Sequence, residues 1–154
     1  MELTFVGTRA NIPLRNRRHR RHSVLKISMT GASVLIDCGS DWLSRLARLS
    51  PTAIVLTHAH PDHIGGLIHG APCPVYAPAD VWATMPRLDL MRKVMIPREP
   101  TLIDDLGFEA FPVTHSLLAP AVGYRVATDQ GSFFYVPDVV RINDEHEALA
   151  GAVL

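Results

Sequence analysis

Four side chains able to bind metal fall within six residues: His58, His60, Asp62 and His63, in the order His-x-His-x-Asp-His. Neutral imidazoles and carboxylates suit zinc, iron and manganese. On extended backbone, residues two apart point to the same side, so His58 and His60 can grip one ion. Asp62 and His63 follow Pro61, where the chain turns into a helix, and can face a second ion close by. The spacing differs from His-Glu-x-x-His, whose histidines lie one helical turn apart. Two such ions support hydrolysis, because a water bridging them loses its proton near neutral pH and attacks as hydroxide. Asp62 could orient that nucleophile or accept its proton as well as bind metal.

Such a loop needs a scaffold. Ala53 to Leu56 is a continuous apolar run, read as a buried strand that leads directly into Thr57. Pro61 biases His60 toward an extended backbone and fits the first position of a helix. Gly65-Gly66 then keeps that helix short. Two further candidate ligands stand at predicted strand ends, where a rigid scaffold presents functional groups. His115 follows Phe111-Pro112-Val113-Thr114, and Asp138 follows Phe134-Tyr135-Val136-Pro137. Alone, either would be an ordinary surface or turn residue. Beside a cluster that still needs ligands, both join the candidate site.

The remaining pattern is that of a mixed α/β domain spanning 1–154. Leu3–Val6, Val24–Met29, Val34–Ile36, Pro74–Tyr76, Phe108–Val113, Val122–Ala127 and Phe133–Val136 read as strands, with a hairpin at Thr30-Gly31-Ala32. Helices are expected from Asp41 to about Leu49, from Ala79 to Met85, and from Asp144 onward. The first carries Trp42, Leu43, Leu46 and Leu49 at helical spacing and is stopped by Pro51. Pro86 to Pro100 fits neither pattern. Cys38 reads as a buried small residue, His69 as part of a solvated turn, and Trp42 and Trp82 as packing residues.

Composition narrows the function. With 47% hydrophobic and 19% charged residues the chain can bury a core. Net charge is zero, so no global field recruits nucleic acid or a membrane. The N-terminus lacks a signal-peptide pattern, and no apolar stretch approaches the roughly 20 residues of a membrane span. Two cysteines without a Cys-x-x-Cys pattern suggest a reducing cytoplasm.

The stretch Thr57-His58-Ala59-His60-Pro61-Asp62-His63-Ile64-Gly65-Gly66 resembles the central motif of the metallo-β-lactamase superfamily. Leu35-Ile36-Asp37-Cys38-Gly39 resembles its preceding strand motif, His115 its third motif, and Asp138 its metal-bridging aspartate. Leu3-Thr4-Phe5-Val6-Gly7-Thr8 is similar to the opening of the ribonuclease Z and cyclic-phosphodiesterase branch. The resemblance implies an αβ/βα sandwich with two divalent ions, zinc foremost with manganese or iron as alternatives, at one edge. His58, His60 and His115 would hold the first ion. Asp62, His63 and Asp138 would hold the second, Asp138 being shared, and Asp37 would be structural. The family pattern continues with further strands, helices and a last histidine. Only sixteen residues follow Asp138, and His146, within Asn143-Asp144-Glu145-His146-Glu147, fits a helical surface instead. The expectation is therefore the N-terminal half and part of the second half of the sandwich. Such a chain reads as a fragment, a truncated reading frame, or half of an assembly completed by another chain or by homo-oligomerisation.

Six of the fifteen Lys and Arg residues fall between Arg9 and Arg21. In the resembling branch this region lies near the active-site edge. Arg15, Arg17, Arg18, Arg20 and Arg21 could hold phosphate in bidentate fashion, or could form a solvated basic loop. The first reading favours a phosphodiesterase acting on a small phosphorylated or nucleotide-like substrate. A thioester or lactam hydrolase, and a metal-binding remnant or assembly subunit inactive by itself, are the alternatives.

Overall fold

The computed structural model describes residues 1–117 and 119–153. Its first sheet holds β1 (Glu2–Gly7), β2 (Val24–Met29), β3 (Ala32–Ile36), β4 (Ala53–Val55), β5 (Val75–Pro78) and β6 (Arg92–Met95), in that spatial order. The pairs β1–β2 and β2–β3 are antiparallel, whereas β3 through β6 run parallel. Parallel neighbours need crossovers, and these carry α1 (Pro61–Ile64) and α2 (Ala79–Thr84). The second sheet holds β7 (Thr101–Ile103), β8 (Leu106–Thr114), β9 (Ala121–Thr128), β10 (Gly131–Tyr135) and β11 (Arg141–Ile142). Its order is β10-β9-β8-β11, with β7 also paired to β8. A short helix, α3 (Glu145–Ala148), ends the chain's regular structure.

Period-two alternation explains the layers. Leu25, Ile27, Val34, Ile36, Ala53 and Val55 point into the space between the sheets, against Phe108, Ala110, Val122, Tyr124 and Val126. The intervening Val24, Leu35 and Ile54 point the other way, against Trp42, Leu46, Val81 and Trp82. Val34–Ile36 of β3 and all of β4 are apolar because both of their faces are covered. No helix among the described residues is long and apolar enough to cross a membrane.

Two expectations change. The helix from Asp41 to Leu49 is instead two 3₁₀ turns, Ser40–Trp42 and Leu46–Leu49. Tertiary bonds override the helical period there. The Asp41 carboxylate accepts from Arg9, Arg15 and the His22 backbone N–H, and Trp42 Nε1 donates to the His22 carbonyl at 3.0 Å. Within the unassigned Pro86–Pro100 stretch lies β6, an edge strand whose Arg92, Lys93 and Val94 are exposed. An edge strand shows little apolar alternation, which hid it from the sequence reading.

Candidate metal centre

The loop from Thr57 to His63 leaves the end of β4 at the rim of the sandwich. Two short-range links fasten it to the second sheet: Val122 N–H donates to the Thr57 carbonyl at 3.0 Å, and the buried Tyr124 hydroxyl donates to the Leu56 carbonyl at 2.7 Å. Pro61 opens α1 at its first position, with His60 extended before it (φ −74°, ψ 149°). The far end of α1 is fastened to the end of β3. Cys38 N–H donates to the His63 carbonyl, Gly66 N–H donates to the Cys38 carbonyl, and the Ser40 hydroxyl donates to the Pro61 carbonyl. Gly66 must lack a side chain, since a Cβ there would lie 2.4 Å from Cys38 Sγ.

Six candidate donors converge. His58, His60 and His115 bring ligand atoms to within 4.8 Å of one another, and so do His58, His63 and Asp138. His60 Nδ1 lies 3.1 Å from His58 Nε2 and 3.2 Å from His115 Nε2. His63 Nε2 lies 3.0 Å from Asp138 Oδ2 and 3.4 Å from Asp62 Oδ2. His115 directly follows β8, and Asp138 lies between β10 and β11. All six residues singled out in the sequence therefore meet at one place.

Asp37 organises the rings from behind. It is wholly buried and sits at a positive φ of 66° at the end of β3. Its Oδ1 accepts from Thr57 N–H, and its Oδ2 accepts from the Thr57 hydroxyl and His63 Nδ1–H, each at 2.8 Å. With its proton given to Asp37, the Thr57 hydroxyl accepts from His58 Nδ1–H at 3.0 Å. This network assigns the tautomers: both rings carry the proton on Nδ1 and turn the Nε2 lone pair into the cluster. Sequence reasoning gave Asp37 a structural role by resemblance but passed over Thr57, which only the buried hydrogen bonds reveal.

The arrangement asks for a cation. His63 Nε2 and Asp62 Oδ1 are buried without a hydrogen-bond partner, and the Nε2 lone pair faces two carboxylates. A proton or a metal must stand between them. With a proton as that cation, burial opposes charge on His63, but Asp37, Asp138 and Asp62 outweigh it and push the imidazole up to about 12. His58 moves the other way, to about 4, through burial and then the charge on His63. The His63 hydrogen bond is the main cause that holds Asp138 below the usual carboxylate range, and Asp62 is lowered by the same ring against its own burial. A divalent ion would replace the proton and meet the same carboxylates, so the donor set fits.

The arginine loop is separate from this cluster. Arg15 pairs with Asp41 at 2.8 Å and Arg21 stacks over Trp42 at 5.0 Å. Arg17, Arg18 and Arg20 are exposed and form no ion pair among the described residues. With Arg21, Gly7 and Thr8 they line a cavity of about 240 Å³. The loop reaches the metal side through His22, whose Cβ and the Asp62 carbonyl both crowd Gly39. His146 lies exposed on α3 and joins neither group of converging donors.

Comparison with known proteins agrees with this geometry. Residues 32–154 match the family described as the Beta-lactamase superfamily domain, and the chain belongs to the metallo-β-lactamase superfamily. Its sequence relatives fall in the ribonuclease Z branch. It is 29% identical over 146 residues to ribonuclease Z of Methanopyrus kandleri, covering 82% of this chain and 50% of that protein. It is 30% identical over 153 residues to ribonuclease Z of Rippkaea orientalis, covering 82% and 48%. The chain thus spans about half the length of the curated relatives it matches. Among solved structures, a diphosphatase from the PhnP family superposes with a TM-score of 0.73 at 25% identity, over 97% of this chain and 70% of that one. The short form of human tRNase Z shares the fold, with a TM-score of 0.68 at 20% identity over 97% and 74%.

Proposed function

We propose that residues 1–154 form one domain carrying the two-metal centre of a phosphodiester hydrolase. His58, His60 and His115 would hold one divalent ion; Asp62 and His63 would hold the second, with Asp138 available to both. Zinc is the expected metal, and manganese or iron the alternatives. The observation that carries the reading is the buried, unpartnered pair of His63 Nε2 and Asp62 Oδ1, facing a second carboxylate from Asp138.

Bound ions of this kind supply a water of lowered pKa and polarise a substrate oxygen. The protein's own groups do the rest. Asp37 and Thr57 hold His58 and His63 in the tautomer that can ligate. Asp62 would orient the attacking water and take its proton as well as bind metal, a role its unengaged Oδ1 supports. The uncompensated Arg17, Arg18 and Arg20, with Arg15 and Arg21 beside them, would hold substrate phosphate. Ribonuclease Z relatives and the diphosphatase neighbour favour a nucleotide-like phosphorylated substrate over a thioester or lactam. The two free, buried thiols favour a cytoplasmic setting.

Metal analysis and paired assays test this. Two zinc equivalents per chain and turnover of a generic phosphodiester, lost in Asp62→Ala and His60→Ala, are expected. Turnover of a thioester but not of the phosphodiester would overturn the substrate assignment. A second reading, a metal-binding subunit that needs a completing chain for activity, draws support from His146 standing apart. Metal uptake without turnover by the isolated chain would favour it.

A further inference from the structure

Asp138 is the donor with the least support from the core. It lies between β10 and the two-residue strand β11, and from residue 139 to 153 only Ala148 is fully buried. Val139 and Val140 are both exposed. What holds this segment against the second sheet is polar. Arg98 Nη1 meets Asp144 Oδ2 at 2.7 Å, and Arg98 Nη2 meets the Glu147 carboxylate. The Arg98 guanidinium also lies 4.6 Å over the Phe111 ring, which Arg125 meets at 5.0 Å. Arg125 in turn pairs with Glu109 and donates to the Glu147 carbonyl at 2.9 Å. Five residues separate Asp144 from Asp138 along the chain.

The backbone beneath Arg98 is odd. Glu99 N–H donates to the Ile96 carbonyl, closing a turn with Pro97 and Arg98 at its centre. Arg98 has a φ of 70°. After a central proline, that position of a turn favours glycine. An arginine kept where glycine would be unstrained points to a use for its side chain.

We infer that Arg98 is a positioning residue for the metal centre: its grip on Asp144 and Glu147 latches the β11–α3 segment and so fixes Asp138 opposite His63. The latch selects between the two sets of ligands. His58 and His60 stand on the loop after β4, and His115 follows the end of β8, which Arg98 meets only further back, at Glu109, Ala110 and Phe111, whereas the set containing Asp138 depends on it. The inference rests on the proposed ligand set, and the tests are arranged to separate the two.

Arg98→Gly is the informative variant because it removes the latch side chain while relieving the positive φ of the turn, so the backbone of the turn is kept. Zinc titration calorimetry on the full chain should show the second equivalent weakened about 10-fold or more, the range for lost supporting partners of a metal ligand, and the first, which keeps its three histidines, weakened clearly less. Asp138→Asn should give the same pattern, and Arg98→Lys should recover part of the second-equivalent affinity. Hydrogen exchange supplies a readout without metal. The Val140 N–H, which donates to the Thr114 carbonyl at 2.8 Å, should exchange faster in Arg98→Gly, while the Ile64 N–H in α1 should not change. If the wild-type chain took up one ion or none, the ligand assignment would fail while faster Val140 exchange still supported the latch. Unchanged Val140 exchange in Arg98→Gly, or equal weakening of both zinc equivalents, would overturn the latch.

Discussion

The two halves of the candidate metal centre are built by different forces. The half formed by His58, His60 and His115 hangs from strands in fixed register: β4 is buried on both faces, and β8 pairs with β9 over seven residues. The half formed by Asp62, His63 and Asp138 rests on a four-residue helix, a carboxylate buried behind it, and a segment held by arginine pairs. Apolar packing is insensitive to salt and pH, whereas ion pairs and buried charges respond to both. One half should therefore behave as rigid scaffold and the other as a tunable appendage.

The largest expected effect comes from the residue the two halves share. Asp37→Ala removes the acceptor for Thr57 and His63 and, through Thr57, the orientation of His58. A loss of about 3–5 kcal/mol of stability is expected, typical of breaking a buried charged network. Chemical denaturation with a matched core control measures it. If only the His63 half responded, with His58 still ligating, the relay through Thr57 would be discarded.

Next in size is a difference in proton release. His58, held at about 4, is already neutral at pH 7, whereas His63, pushed up to about 12, carries a proton that metal must displace. Zinc uptake in the half containing His63 should release about one proton from that ring, and His58 should add none. Calorimetry in buffers of different ionisation enthalpy reads this directly. The same groups set the pH dependence of the metal-free fold. His63, raised from 6.5, contributes stability that is full below pH 6.5 and drains away as pH rises toward 12. His58, lowered from 6.5, contributes stability present above pH 6.5 that is lost as pH falls toward 4. Metal-free stability that rises steadily from pH 7 to 10 would contradict the trapped proton on His63.

How much of this was legible in the sequence follows the same division. The strand-borne half was readable because apolar runs and turn residues are local signals. Ala53–Leu56 announced β4, and the run before His115 announced β8. Pro61 marked the start of α1 for a stereochemical reason that needs no tertiary context. The supporting half was largely hidden. Asp37 is one carboxylate among many until its three donors are seen. Arg98 lies in a stretch without periodicity, and its partners Asp144 and Glu147 are 46 and 49 residues away. Trp42 and Leu46 suggested a helix where captured Asp41 and Trp42 side chains impose 3₁₀ turns. Long-range polar bonds leave no periodic trace, so a sequence shows which donors exist before it shows what aims them.

The smallest prediction tests the seam between the halves. The Thr114 hydroxyl, one residue before His115, donates to Asn143 Oδ1 at 3.1 Å, one residue before Asp144. It is a side-chain tie from the strand-borne half to the latched segment, and it lies near the surface. Thr114→Val keeps the shape and the β branch while removing the donor, so β8 should be unaffected. A stability loss of about 0.5–1.5 kcal/mol bounds the effect for a hydrogen bond of this kind. The paired contacts Arg141–Thr114 and Ile142–Val113 survive, because they are made by backbone. The second zinc equivalent should weaken by only a few-fold, less than in Arg98→Gly, and the first by less than the second. Should Thr114→Val weaken the first equivalent as much as the second, His115 would depend on the latched segment. The contrast between a rigid half and a tunable half would then reduce to a single coupled unit.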